Sequence, residues 1–248
     1  MSSSPIALLA VADIHAPKYL ELFSKSVSSL STRPDLVLLA GDVIYKGRAE
    51  EVLKVVDVLT KKFKDVRIIA CFGNEEYDQV KGKLKELTKG VVEWLDDEAI
   101  ELELKGKVLG IVGTRGSLDR PTRWQRAHVP NIEQIYKSRV DVVKEKLLSL
   151  SSCDYKILLT HYAPTHKTLV GEPKGIWPEL GCKAFEQVIS ETKPTLVVHG
   201  HAHNSKVNEA WIGSTLVVNV SLPSRKGVCF LEVPPKRQVG LLRFAKWD

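Results

Sequence analysis

The sequence predicts an α/β fold around a parallel sheet, and three features of it say so. The runs at 6–12 and 36–40 are continuously apolar and that at 66–72 is broken only by Arg67, the mark of strands buried on both faces. Between them lie segments whose apolar residues recur at helical spacing, and strand–helix units in succession require right-handed crossovers and parallel pairing. Each run also ends in residues with donor side chains, at Asp13-Ile14-His15, Gly41-Asp42 and Gly73-Asn74. In a parallel sheet the ligand site lies beyond the carboxyl ends of the strands, where these residues would fall together.

In order, the first strand gives way to Pro17, suited to the first turn of a helix with Leu20, Phe23, Val27 and Leu30 on its apolar face. The second leads to a helix at 49–63 that places Val52, Val55, Val56 and Leu59 on one side. After the third strand the pattern is less regular. Short strands are expected at 91–95, 99–104 and 108–112, separated by turns at Asp96-Asp97 and Lys105-Gly106-Lys107. The stretch 113–130 reads as an irregular basic loop holding Arg115, Arg120, Arg123, Trp124 and Arg126. Asn131 is placed to cap a helix running to about residue 150. A strand at 156–160 ends in His161, and the Pro/Gly-rich loop 162–180 after it is long enough to suggest function. A helix at 182–191 precedes the apolar run Leu196-Val197-Val198, which ends in His199-Gly200-His201-Ala202-His203. Runs at 207–211, 216–220, 228–233 and 239–244 read as antiparallel strands. No repeat, linker or low-complexity segment divides the chain, so a single domain over 1–248 is expected.

Composition narrows the class. With 44% hydrophobic and 27% charged residues, the chain has the balance of a soluble globular protein. No apolar run approaches the ~20 residues a membrane span needs. Residues 1–5 carry no basic group, so 6–12 reads as a strand and not as a signal peptide. Cys71, Cys153, Cys182 and Cys229 lie far apart with no paired spacing, which suits reduced thiols in the cytoplasm. The net charge of +6 favours anionic ligands but is too mild and dispersed to indicate nucleic acid. One Met, few Asn and Gln, and many Lys and Glu suggest a thermophilic source.

Five strand ends deliver Asp13, His15, Asp42, Asn74, His161, His201 and His203. Carboxylate, imidazole and amide oxygen form a mixed hard and borderline donor set, suited to manganese, iron or zinc more than to calcium. Seven donors exceed one tetrahedral ion and suit two ions that share a carboxylate. Such a pair can clamp a phosphate and activate a bridging hydroxide for in-line attack. A lone Asp at a strand end is routine loop chemistry; seven donors at five matching ends are not.

In order and spacing, Asp13-x-His15, Gly41-Asp42, Gly73-Asn74, His161 and Gly200-His201-x-His203 resemble the five motifs of the calcineurin-like metallophosphoesterases. The compact length and the His-Gly-His-Ala-His run look closest to the small stand-alone prokaryotic branch near the cyclic-nucleotide phosphodiesterases. The resemblance implies a four-layer αββα sandwich, two mixed β-sheets flanked by helices. It implies two divalent metal ions, manganese or iron before zinc or nickel. Asp13, His15 and His203 would hold one ion and Asn74, His161 and His201 the other, with Asp42 bridging. It also implies hydrolysis of phosphoesters, with Asp42, Asn74, His201 and the residue at position 75 at the reacting centre. His199 falls outside the pattern and is expected in the core or behind the ligands.

One position departs from that family. Its members usually read Gly-Asn-His followed by Asp or Glu, the His assisting the leaving group, and here Glu75 stands in its place. A carboxylate beside two cations is favoured in its charged form and has no proton to give. Phosphodiesters are therefore expected as substrates ahead of phosphomonoesters. Arg115, Arg123 and Tyr162 are candidates for holding a small phosphoester or nucleotide. Two alternatives stay open: a metal-dependent nuclease, which the charge permits, and a non-catalytic interaction scaffold, which would have no need of seven ligands. The sequence carries no signature of oligomeric state.

Overall fold

The computed structural model of the protein describes residues 4–236. The elements run β1 (Ile6–Val11), α1 (Leu20–Ser28), β2 (Leu36–Ala40), α2 (Val52–Lys62), β3 (Arg67–Cys71), α3 (Asp78–Leu87) and β4 (Val92–Leu95). There follow β5 (Glu98–Leu104), β6 (Lys107–Thr114), α4 (Arg123–His128), α5 (Ile132–Ser149), β7 (Tyr155–Thr160), α6 (Ala184–Thr192) and β8 (Leu196–His199). The described chain closes with β9 (Glu209–Ile212), β10 (Thr215–Asn219), α7 (Leu222–Arg225) and β11 (Cys229–Val233).

Two mixed sheets form, ordered β11-β1-β2-β3-β4 and β5-β6-β7-β8-β10-β9. In the first, β1 to β4 run parallel and β11 closes one edge antiparallel. In the second, β6, β7, β8 and β10 run parallel between antiparallel edges β5 and β9. The continuous apolar runs have a direct cause. Side chains alternate across a strand, and here both faces are covered. Leu8 and Ala10 of β1 join Leu36, Leu38, Ile157, Leu159 and Val198 in the core between the sheets. Leu9 and Val11 pack outward on Phe23 and Val27 of α1 and on Val52, Val55 and Leu59 of α2. On the far side, Val112, Leu158 and Val197 meet Val143 and Leu147 of α5 and Phe185 and Ile189 of α6. The result is four layers, helix, sheet, sheet, helix. Each such side chain taken from water contributes about 1.5–3 kcal/mol, so the sheet–sheet core is a rigid base for the loops at its end.

The structure departs from the sequence reading in three places. The strands after His203 are not an antiparallel run: β10 pairs parallel with β8, and β11 crosses to the other sheet, matching Ile6 to Val233. Burial explains both moves, since Val217 and Val218 are fully enclosed and β11 covers an edge that β1 would otherwise expose. The expected strand at 239–244 lies outside the described residues. Within 113–130 the chain forms α4, started by a capping box in which Thr122 and Gln125 satisfy each other's backbone N–H. Asn131 makes no side-chain cap; at φ 54° it takes the left-handed turn between α4 and α5 that Asn tolerates. Of the four cysteines, none is in a disulfide, and all but Cys153 are buried. No helix among the described residues is long and apolar enough to cross a membrane.

Candidate metal centre

Both sheets aim the carboxyl ends of their parallel strands at one place. Asp13, Asp42 and Asn74 follow β1, β2 and β3 of the first sheet; His161 follows β7 and His201 follows β8 of the second. Asp13 (φ 58°), His15 (44°), Asp42 (50°) and His201 (69°) all adopt left-handed backbone. Holding a non-glycine residue there costs on the order of 1–3 kcal/mol. Short backbone bonds enforce it, Asp13 N–H to Gly41 O at 3.0 Å and His15 N–H to Asp42 O at 2.9 Å. Two further bonds cross between the sheets. His201 N–H donates to Asp13 Oδ2 at 2.9 Å, and His161 Nδ1 donates to the Ala40 carbonyl at 3.0 Å. The second bond fixes the ring so that Nε2 faces the site. Glycine is required on both sides. A Cβ on Gly200 would come within 2.9 Å of Asp13 Oδ2, and one on Gly73 would overlap Asp42.

Two donor clusters result, Asp13 with His15 and His203, and Asp42 with His161 and His201, the donor atoms of each within 4.8 Å of one another. In the first, His203 Nε2 lies 3.2 Å from Asp13 Oδ1 and 3.4 Å from His15 Nε2. In the second, His161 Nε2 lies 3.4 Å from Asp42 Oδ2 and 3.0 Å from Asn74 Oδ1, with the His201 ring 4.9 Å from the His161 ring. Asp42 Oδ2 is also 3.7 Å from His15 Nε2, so one oxygen faces both clusters. Its partner Oδ1 is engaged by Glu75 N–H at 2.8 Å. All seven residues singled out as ligands are thus gathered in one place. The donors fit cations: Asp13 Oδ1 is buried without a hydrogen-bond partner, and two imidazole nitrogens converge on the same point.

The electrostatics agree with that fit. Burial alone would raise the two aspartates, but His203 beside Asp13 and His161 beside Asp42 hold both carboxyls below their usual range. Burial lowers His15, and it lowers His201 to about 3, which keeps that ring neutral. At His161 burial is outweighed by the Asp42 carboxylate, which holds the imidazole up at about 9. At His203 it is outweighed by the Asp13 carboxylate 3.2 Å away, which raises that ring. Were this cluster to hold a cation through His161 Nε2, the His161 proton would have to leave.

Glu76 is the residue that the sequence did not reveal. Its fully buried carboxylate accepts the N–H groups of Asp42, Gly73 and Ile44 at 2.8, 2.6 and 3.0 Å, tying the loops after β2 and β3 together. Burial, with the Asp42 charge adding to it, pushes Glu76 up to about 7. Adjacent Glu75 and Glu76 look alike in sequence, and only the fold says which one turns inward. Glu75 instead accepts Lys46 N–H through Oε2 at 2.5 Å.

The three substrate candidates separate. Tyr162 is buried with its ring 4.8 Å from that of His201, and its hydroxyl accepts from Gln125 at 3.3 Å. Arg115 is turned to the Glu76 carbonyl at 2.9 Å and Asp78 at 3.1 Å. Arg123 is exposed at the start of α4. Unforeseen side chains stand beside His15 instead: Tyr19 and Tyr45 lie edge-on to it at 6.2 and 6.1 Å, with the Lys18 and Lys46 ammonium groups over their rings. His199 is buried with Nδ1 on Gly200 O at 2.8 Å and Nε2 on Thr168 at 2.9 Å, outside both clusters.

This frame of two mixed sheets flanked by helices has known counterparts. The sequence model of the calcineurin-like phosphoesterase family matches residues 6–205, and the chain belongs to that family. Phosphodiesterase YaeI of Escherichia coli (strain K12) is 25% identical over 186 residues, which make up 69% of this chain and 66% of the relative. The chain thus spans slightly under two thirds of that relative's length. Among solved structures, Phosphopantetheinyl Hydrolase (PptH) from Mycobacterium tuberculosis shares the fold with a TM-score of 0.65 at 15% identity, over 91% of this chain and 92% of that one. A 5'-nucleotidase precursor from Thermus thermophilus does so with a TM-score of 0.54 at 15% identity, over 92% of this chain and 51% of that one.

Proposed function

We propose that this protein is a dinuclear-metal phosphoesterase whose substrates are phosphodiesters. One observation carries the reading: a single oxygen, Asp42 Oδ2, faces both donor clusters, 3.4 Å from His161 Nε2 and 3.7 Å from His15 Nε2. Asp13, His15 and His203 would hold one cation, Asn74, His161 and His201 the other, and Asp42 both. Manganese or iron suits this mixture of carboxylate, imidazole and amide donors. The chemistry such a pair supplies when bound is polarisation of the phosphoryl oxygens and activation of a water for in-line attack.

The chain's own contribution is orientation. Glu75 N–H, His201 N–H and the Ala40 carbonyl each take one atom of Asp42, Asp13 and His161, and so point the remaining donor atom inward. Groups fixed in this way need no rearrangement as charge develops. Lys18 and Lys46 give the mouth positive charge that draws an anionic ester, and the Tyr19, Tyr45 and Tyr162 rings wall it. The preference for diesters rests on Glu75, which stands where the family usually has His, and agrees with the name of the Escherichia coli relative.

The test is metal analysis of purified protein, then a manganese- and iron-supplemented screen over aryl diesters, aryl monoesters and polynucleotides. About two equivalents of metal and fastest turnover of an aryl diester are expected. Protein that takes up no metal would overturn the reading, and fastest turnover of polynucleotides would move it to a nuclease.

A further inference from the structure

His203 is the least enclosed member of its cluster, with a third of its side chain exposed (33%) where Asp13 has none. It is also carried on a turn beyond β8 and not on the strand itself. The loop 162–180 lies alongside the end of β8 and that turn and holds them at several points. Thr168 Oγ1 meets His199 Nε2 at 2.9 Å, Lys206 N–H donates to Val170 O at 2.7 Å, and Leu169 packs on Ala202. Gly171 sits at φ 118°, and a Cβ there would collide with Asn204 and Lys206, so the two segments touch through bare backbone.

At the centre of this contact is Glu172, a buried carboxylate. Its Oε1 accepts Asn204 N–H at 2.7 Å and its Oε2 accepts Asn204 Nδ2 at 3.1 Å. Asn204 N–H belongs to the peptide group that leaves His203, so Glu172 grips the link next to the ligand. The grip is anchored from behind, because Trp177 Nε1 donates to the Glu172 carbonyl at 2.9 Å. A buried carboxylate is costly unless its oxygens are bonded, and these two donors satisfy it only in this arrangement of the turn.

We propose that Glu172 is a positioning residue for His203. Through Asn204 it sets the direction of the imidazole toward Asp13 and His15, and the long loop is the strap that completes the first cluster. This rests on the reading above, that the clusters hold cations.

The experiment titrates the purified, chelator-stripped protein with MnCl2 and counts free manganese by electron paramagnetic resonance. The variants are Asn204→Asp, Glu172→Ala and the pair Glu172→Gln with Asn204→Asp. Asn204→Asp turns two carboxylates on each other and so opens the grip. It also adds a negative charge, which by itself would tighten cation binding. Positioning predicts the opposite sign, a loss of about 10–100-fold in affinity for one of two equivalents, as for other groups that orient ligands. The paired variant has the wild-type charge and restores both bonds with the roles exchanged. Its amide at position 172 donates to the carboxylate at position 204 and accepts the backbone N–H there, so affinity should return to near wild type. Glu172→Ala should weaken the same equivalent; should it fail to fold, the other two variants decide. Unchanged or tighter binding in Asn204→Asp, or no recovery in the pair, overturns the proposal. A wild-type protein that binds no manganese overturns the metal reading as well.

Discussion

Asp42→Asn separates the two oxygens of one side chain. The Asn amide oxygen can keep the Glu75 N–H where Oδ1 now accepts it, and this places an NH2 group where Oδ2 faces His15 and His161. An oxygen that faces both clusters with its lone pairs becomes a pair of donors. Removing a group that merely orients a ligand costs about 10–100-fold. Losing the atom that both cations would share should exceed that, so turnover of an aryl diester should fall by at least ~100-fold and fewer than two equivalents of metal should survive desalting. The fold should survive, and a second variant shows why. Asp42→Ala leaves the Glu75 N–H without its partner, at about 1–3 kcal/mol, while both variants lose the charge beside His161 equally. In chelator, urea midpoints should therefore rank wild type and Asn above Ala. Metal analysis, kinetics and the two unfolding curves together check the argument. An Asn variant with two equivalents and full turnover would refute the bridge; an Ala variant as stable as Asn would refute the account of Oδ1.

Two other outcomes follow from the same centre. His161, held up at about 9 by Asp42 against its burial, keeps its proton at pH 7.5 and would lose it if Nε2 took a cation, as proposed. Affinity should then rise with pH up to about 9 and flatten above it, and calorimetry in buffers of differing ionisation enthalpy should show at least one proton released per protein; none released would contradict the assignment of His161. With the Glu75 carboxylate turned to Lys46 N–H, rates across aryl to alkyl diesters should fall steeply as the leaving group becomes more basic, since general acid help is worth about 10²–10⁴-fold. A shallow dependence would mean that another group supplies the proton.

How much of this was legible beforehand depended on whether a residue's role is written locally. The candidate ligands were legible because each sits one to four residues past the end of a strand, and a parallel sheet sends all such ends to one side. The layers were legible in the same way, since residues such as Leu8 and Leu9 can both be apolar only if both faces of β1 are covered. What stayed hidden is whatever depends on two distant segments meeting. β11 lies beside β1 across more than 200 residues, and no local pattern separates it from a partner of β10. Glu76 and Glu172 were hidden for the same reason. A buried carboxylate that binds backbone N–H groups has no sequence mark of its own: the partners of Glu76 are main-chain atoms that every residue has, and Glu172 adds only the amide of an Asn 32 residues away. Arg115 shows the converse. Its place in a basic stretch suggested a ligand for anions, yet its guanidinium is turned to the Glu76 carbonyl, where it braces the loop that Glu76 itself ties to Asp42. Charge in a sequence tells what a side chain can bind; only the fold decides whether a substrate or the protein's own backbone reaches it first.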